Sequence, residues 1–308
     1  MMEFTSFKIL VKEEIERRAG KDYSVRLNDV MKNNGVILSG LTVMQDDSNI
    51  SPTIYLNNYY EAYENGKATL GMVINDVMDV YNKNKVNRKL DMQYFLNYES
   101  IKGRIVFKLI NTQKNEVLLK DIPHMEFLDL SIVFQFLLPE ESIGAASILI
   151  HNAHTKLWGV DNRELYRRAL QNTPKLLQYE IKSMKDVMGE IIQSEQEQYC
   201  DMDYNEYMGE LDRCIPMYVL SNKNRTDGAA CMLYPKLIGD FSKAIGSNLY
   251  IIPSSIHELL LLPAGDDDES GYIQDIIREV NETQLLEEEI LSDSLYVYDR
   301  ELRDIKIF

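Results

Sequence analysis

Ser254, Ser255, His257 and Glu258 bring hydroxyl, imidazole and carboxylate together within one short stretch of this chain. Those are the groups of a hydrolase, in which a Ser is held against a His that an acid orients. In such a reading His257 is the base and Ser254 or Ser255 the nucleophile or a substrate contact. Neighbours in one turn seldom point at one another well enough for proton transfer, and no Gly-x-Ser-x-Gly elbow occurs. The competing reading is a structural turn, with Ser254 or Ser255 bonded to the local backbone and His257 to a nearby carbonyl. A third reading is a polar ligand-contact loop.

A second polar loop runs from Asn222 to Gly228 and offers Lys223, Arg225 and Asp227. With His257 it could receive an anionic ligand, although a charged hairpin tip can equally be solvated. His151 and His154 have a spacing that places both imidazoles on one helix face. A metal site there needs a further ligand, Asp161 or Glu164, and the His-Glu-x-x-His pattern of zinc peptidases is absent. Trp158 with Tyr166 could flank a ligand or pack in a core. His124, after Pro123, reads as loop punctuation.

Several function classes lose their warrant. Neither Gly-x-Gly-x-x-Gly nor Gly-x-x-x-x-Gly-Lys-Ser/Thr occurs, and kinase signatures are missing, so no cofactor is expected. A formal charge of −16 argues against a phosphate-backbone binder. Lys83, Lys85, Arg88 and Lys89 form one local basic stretch, read either as a solvated helix end or as a patch. Cys200, Cys214 and Cys231 form no CxxC pair and fit a reducing compartment, which makes the expected location cytoplasmic. The start lacks a signal-peptide pattern and no apolar run reaches a membrane span.

The elements that must position these residues follow from periodicity. Phe4, Phe7, Leu10, Val11 and Ile15 predict a helix over 4–18, stopped by Gly20. Tyr23–Leu27 and Gly35–Val43 predict a hairpin around Asn34-Gly35, with a third strand near Pro52–Leu56. Leu70, Val73, Ile74, Val77 and Tyr81 predict a second helix. Strands are expected at Arg104–Ile110, Leu128–Leu138 and Ala145–Ile150, then a helix with Leu165, Ala169 and Leu170 that ends at Asn172-Thr173-Pro174. Eight acids and no Lys or Arg lie between Gly189 and Asp212, with Asp201 and Asp203 lacking the rest of a calcium loop. Beyond them, Pro216–Ser221 with Ala229–Leu233, Leu249–Ile252 with Glu258–Leu262, and Leu295–Tyr298 with Ile305–Phe308 predict three hairpins. Helices at Leu237–Ile245 and Ile273–Val280 separate them.

The fold class is therefore α+β with two mixed domains. The expected division is a mixed region at 1–188, an acidic linker or exposed segment at 189–213, and a C-terminal domain at 214–308. That domain is an antiparallel sheet in ββ-α-ββ-α-ββ order with helices on one face.

Met217–Asn222 with Gly228-Ala229-Ala230, Leu249–Glu258, Glu279-Val280-Asn281, Leu291-Ser292-Asp293 and Ala169–Pro174 together resemble an uncharacterised family of bacterial proteins typical of gut anaerobes. The C-terminal order is also similar to a second uncharacterised bacterial family with the same layout. Neither resemblance implies an activity, cofactor or site residue. The leading expectation is a cytoplasmic binding or interaction protein without catalysis, recognising a protein or small polar ligand. The alternatives are the small hydrolase described above and an acidic protein that binds a basic partner through 189–212 and Asp266–Glu269.

Overall fold

In the computed structural model, which describes residues 2–46, 48–85, 92–139, 146–194, 216–265 and 270–308, the chain divides into two units. The first is Met1–Leu96 with Pro139–Ala146, and the second Asn97–Leu138 with Ser147–Phe308. Among the described residues no helix is long and apolar enough to cross a membrane.

In the first unit, α1 (Phe4–Ala19) buries Phe7, Val11 and Ile15, one residue per turn along a single stripe. Each such side chain contributes about 1.5–3 kcal/mol by leaving water. Strands β1 (Tyr23–Met31) and β2 (Ile37–Gln45) pair antiparallel. The turn between them bends through Asn34 and Gly35, both at positive φ, a conformation these two residues tolerate best. β3 (Thr53–Tyr55) pairs with β2. α2 (Asn57–Glu64) and α3 (Leu70–Asn84) follow, and α3 packs Val73, Ile74, Val77 and Tyr81 into the same core as Phe7 and Leu41.

Among its described residues the second unit contains two antiparallel sheets. β4 (Ile105–Asn111), β5 (His124–Phe127) and β7 (Ser147–Leu149) all pair with β6 (Leu130–Leu137), whose burial is nearly unbroken. Leu128, at φ 57°, turns the chain between β5 and β6. His124 therefore opens a strand and is not a loop residue, its Nδ1 lying 3.0 Å from the Ile122 carbonyl. α4 (Asn152–Trp158) and α5 (Asn162–Leu176) come next. α5 runs through Pro174, past the stop expected at 172–174. Proline sits in the last turn, where it removes a single intrahelical bond, and Thr173 anchors that turn. The Thr173 hydroxyl donates to the Ala169 carbonyl at 2.6 Å and accepts from the Phe107 amide of β4 at 3.1 Å.

The larger sheet has the order β13-β12-β10-β11-β9-β8. Its strands are β8 (Tyr179–Ser183), β9 (Tyr218–Asn222), β10 (Leu249–Pro253), β11 (Leu259–Pro263), β12 (Tyr296–Asp299) and β13 (Asp304–Ile307). Helices α6 (Met184–Ser194), α7 (Leu237–Ile245) and α8 (Ser270–Thr283) lie between them.

Three expectations change here. Gly228–Leu233, part of which was expected as a strand, is a 3-10 helix, so β9 pairs with β8 and β11 instead. A Cβ on Gly228 would fall inside contact distance of the Ser221 hydroxyl and the His257 carbonyl, and 2.9 Å from the Asn222 amide. Only glycine brings the chain this close.

The helices cover both faces of the sheet rather than one. Gly239 and Phe241 of α7 meet Tyr298 and Tyr218, whereas Ile277 of α8 packs with Tyr250, Leu262 and Val297 on the opposite face. Strands buried on both sides lose the apolar–polar alternation, as Leu249–Pro253 and Leu259–Pro263 do. Finally, β8 and β9 pair from Tyr179↔Asn222 to Ser183↔Tyr218, which places chain on both sides of the expected 189–213 linker in one unit. Gly189 and Glu190 lie in α6. The acids from 195 to 212, Asp266–Glu269, Arg88, Lys89, Cys200 and Cys214 lie outside the described residues.

Candidate functional site

The Ser254–Glu258 turn links β10 to β11, and its polar groups are held mainly by backbone. Ser255 is 7% exposed, and its Oγ accepts from the His257 amide at 3.0 Å. The His257 ring accepts from the Asp227 amide through Nδ1 at 3.1 Å, which leaves Nε2 to carry the proton of a neutral ring. Nε2 lies 3.9 Å from Glu289 Oε1. Ser254 donates to Glu258 Oε1 at 3.4 Å. The backbone is tied in as well: Ser221 Oγ donates to the His257 carbonyl at 2.7 Å, and Ile256 N to the Glu289 carbonyl at 2.9 Å. Hydroxyl and imidazole are thus each engaged by an amide rather than by each other.

In the Asn222–Gly228 loop, Asn222 is buried and closes the turn on itself. Its Nδ2 donates to the Thr226 carbonyl at 2.7 Å, while its Oδ1 accepts from Asn224 N at 3.0 Å. Lys223 donates to Gln178 Oε1 at 2.8 Å. Arg225 lies 3.8 Å from Glu180 and 3.9 Å from Glu190. Asp227, its side chain 12% exposed, accepts from Gln135 Nε2 at 3.0 Å and stands 3.8 Å from Lys108 Nζ. These side chains join β9 to the smaller sheet and to α6, and the charges of Arg225 and Asp227 are matched within the protein.

His151 precedes α4, with Nδ1 2.7 Å from Asp121 Oδ2. His154 accepts the His151 amide at 3.0 Å and stacks on Trp158, ring centroids 5.5 Å apart. Burial, with His151 nearby, lowers the His154 pKa. Asp161 caps α5 by accepting from the Glu164 amide at 2.9 Å. Glu164 is held down at about 2 by hydrogen bonds from Arg168 and Arg167. Among the described residues no group of three His, Cys, Asp or Glu is placed to hold a metal ion.

The described residues of this unit enclose an apolar hollow and a polar one. One, of about 680 Å³, runs between α8 and β10–β11 and is walled by Tyr250, Ile252, Leu260, Leu262, Ile273 and Ile277. Among the described residues its lining carries no charge. Asn281, at its edge, already donates to the Ser292 carbonyl at 3.0 Å and Asp293 Oδ1 at 2.7 Å.

The other, of about 790 Å³, lies between the first turn of α7 and the β12–β13 turn, and it is polar. Lys236, Lys243, Arg300 and Arg303 line it together with Asp240, Asp304 and Tyr298. Tyr298 is 9% exposed. Its hydroxyl has no hydrogen-bond partner among the described residues and stands 2.7 Å from where a Gly239 Cβ would be. α7 has no side-chain cap, and the Ile238 and Gly239 amides find no acceptor among the described residues. Such a helix end carries partial positive charge and free donors.

Residues 4–300 match the model of a family of unknown function, DUF5688. The chain belongs to this family. The match takes in both units, beyond the second half on which the resemblance mainly rested. No curated protein and no solved structure matches the chain. The residues of the polar hollow escaped a reading by local spacing, because Gly239 and Tyr298 meet only across the fold. The one local signal was Gly239 itself, a residue of low helix propensity in the first turn of a helix.

Proposed function

We propose that this protein binds a small polar ligand without transforming it, and that the hollow between α7 and the β12–β13 turn is the binding place. The Tyr298 hydroxyl carries this reading: it is a donor on a nine-tenths buried residue, lines the hollow and has no protein partner among the described residues, so it is open to a ligand's acceptor. The engagement of Ser255 and His257 by backbone amides supports a binding role over the hydrolase alternative. A cytoplasmic location belongs to the same reading and is supported by Cys231, a buried free thiol.

Native mass spectrometry of gently purified protein, set against its denatured mass, tests the proposal. A small mass excess that denaturation removes and Tyr298→Phe diminishes is the expected result. No excess, together with no thermal shift across a broad metabolite panel, would overturn the reading. So would hydrolytic turnover that Ser255→Ala abolishes while the fold persists.

A further inference from the structure

We propose that the ligand is a phosphate monoester with an apolar ring as its body, the phosphate seated on the first turn of α7. This rests on the reading that the hollow is the binding place, and adds the chemistry of what fills it.

Charge comes first. In a chain of net charge −16, the hollow gathers Lys236, Lys243, Arg300 and Arg303 against Asp240 and Asp304. The surplus of two positive charges suits a dianion and leaves a polyphosphate under-compensated. Lys236, Lys243 and Arg303 form no ion pair among the described residues. Arg300 is held in place, its guanidinium donating to the Gly246 carbonyl and its amide to Asn248 Oδ1 at 3.1 Å.

Geometry comes next. The Ile238 and Gly239 amides and the Tyr298 hydroxyl are donors at the same end of α7, and a tetrahedral phosphate has enough terminal oxygens to accept from all of them. Gly239 permits this because any side chain there would meet the phenol. Lys236 and Arg303 both hold left-handed backbone, φ 66° and 55°, which non-glycine residues rarely adopt. Strain of this kind persists where surrounding structure fixes it and gathers at ligand clamps.

Size supplies the body of the ligand. A hollow of about 790 Å³ exceeds what a phosphate group needs, and Phe127, Leu233 and Ile305 offer an apolar wall for a ring.

Titration calorimetry on the full chain tests this with phenyl phosphate, inorganic phosphate and phenol as probes at constant ionic strength. Phenyl phosphate should bind at least about tenfold more tightly than inorganic phosphate, with no measurable binding of phenol. Its affinity should rise between pH 5 and 7, as the second phosphate proton leaves near about 6. Tyr298→Phe and Lys236→Ala should each weaken it by about tenfold or more. Arg303→Ala, in an exposed turn where the substitution relieves no packing, should weaken it likewise without lowering Tm.

If phenyl phosphate fails while neutral or cationic compounds stabilise the wild type and not Tyr298→Phe, the ligand class is wrong and the binding reading stands. If phenyl phosphate binds but all three variants bind it as the wild type does, the site is wrong. If no compound binds at all, both fall.

Discussion

Asp129, in the turn between β5 and β6, accepts three hydrogen bonds from the far end of the chain. Ser292 Oγ donates at 2.6 Å, Ser294 Oγ at 3.1 Å and Tyr296 OH at 2.7 Å. Tyr296 is fully buried and Ser292 nearly so. Replacing Asp129 with Ala leaves at least two buried hydroxyls without an acceptor, each costing about 1–3 kcal/mol. The expected loss is therefore about 3–5 kcal/mol. Asp129→Asn retains one acceptor oxygen and should lose about half as much. Urea unfolding followed by tryptophan fluorescence is the assay, because Trp158 is the sole tryptophan and belongs to the same unit. A double-mutant cycle with Tyr296→Phe isolates the pair and should give a coupling of about 1–2 kcal/mol. A loss below about 1 kcal/mol for Asp129→Ala, or a coupling near zero, would show that the burial of these hydroxyls was misjudged.

Three further outcomes are expected. Gly228→Ala should destabilise by roughly 1–3 kcal/mol or more in urea melts, since two of the atoms its Cβ meets are backbone and cannot swing aside. Thr173→Val keeps the volume but strips the Phe107 amide of its acceptor, costing about 1–3 kcal/mol and speeding hydrogen exchange at Phe107. Burial pushes the Cys231 thiol up to about 12 from the ordinary 9.0, so the unfolded chain releases this proton first. Its contribution to stability is complete below about 9 and is lost as pH climbs toward 12. The urea midpoint should fall over that range, and fall less steeply in Cys231→Ala.

What could be read from the sequence was what neighbouring residues decide. The stripe Phe7, Val11, Ile15 and the cluster Val73, Ile74, Val77, Tyr81 specify α1 and α3, and Asn34-Gly35 specifies the hairpin turn. Ala229–Leu233 was misread because a short apolar run carries no period, and its 3-10 form depends on Gly228 meeting Ser221 and His257. Unbroken apolar runs in β10 and β11 mark a sheet covered on both faces. Ser254–Glu258 attracted notice because its polar groups are adjacent in sequence. Tyr298, Gly239 and the cations around them converge only through sheet order and the placement of α7.

The Asp129 contacts also impose a schedule on the newborn chain. Ser292 and Tyr296 follow Asp129 by 163 and 167 residues, and Asn111 waits 180 residues for the Leu291 carbonyl to which it donates. At the usual pace of translation that interval lasts roughly 8–35 seconds. Throughout it β6, apolar over nearly its whole length, has its closest neighbours β4 and β5 but lacks the strands that complete the unit. Closing so long a loop is slow, and the waiting surface is adhesive. Production of this protein should therefore respond to translation speed and to chaperone supply during the second half of synthesis.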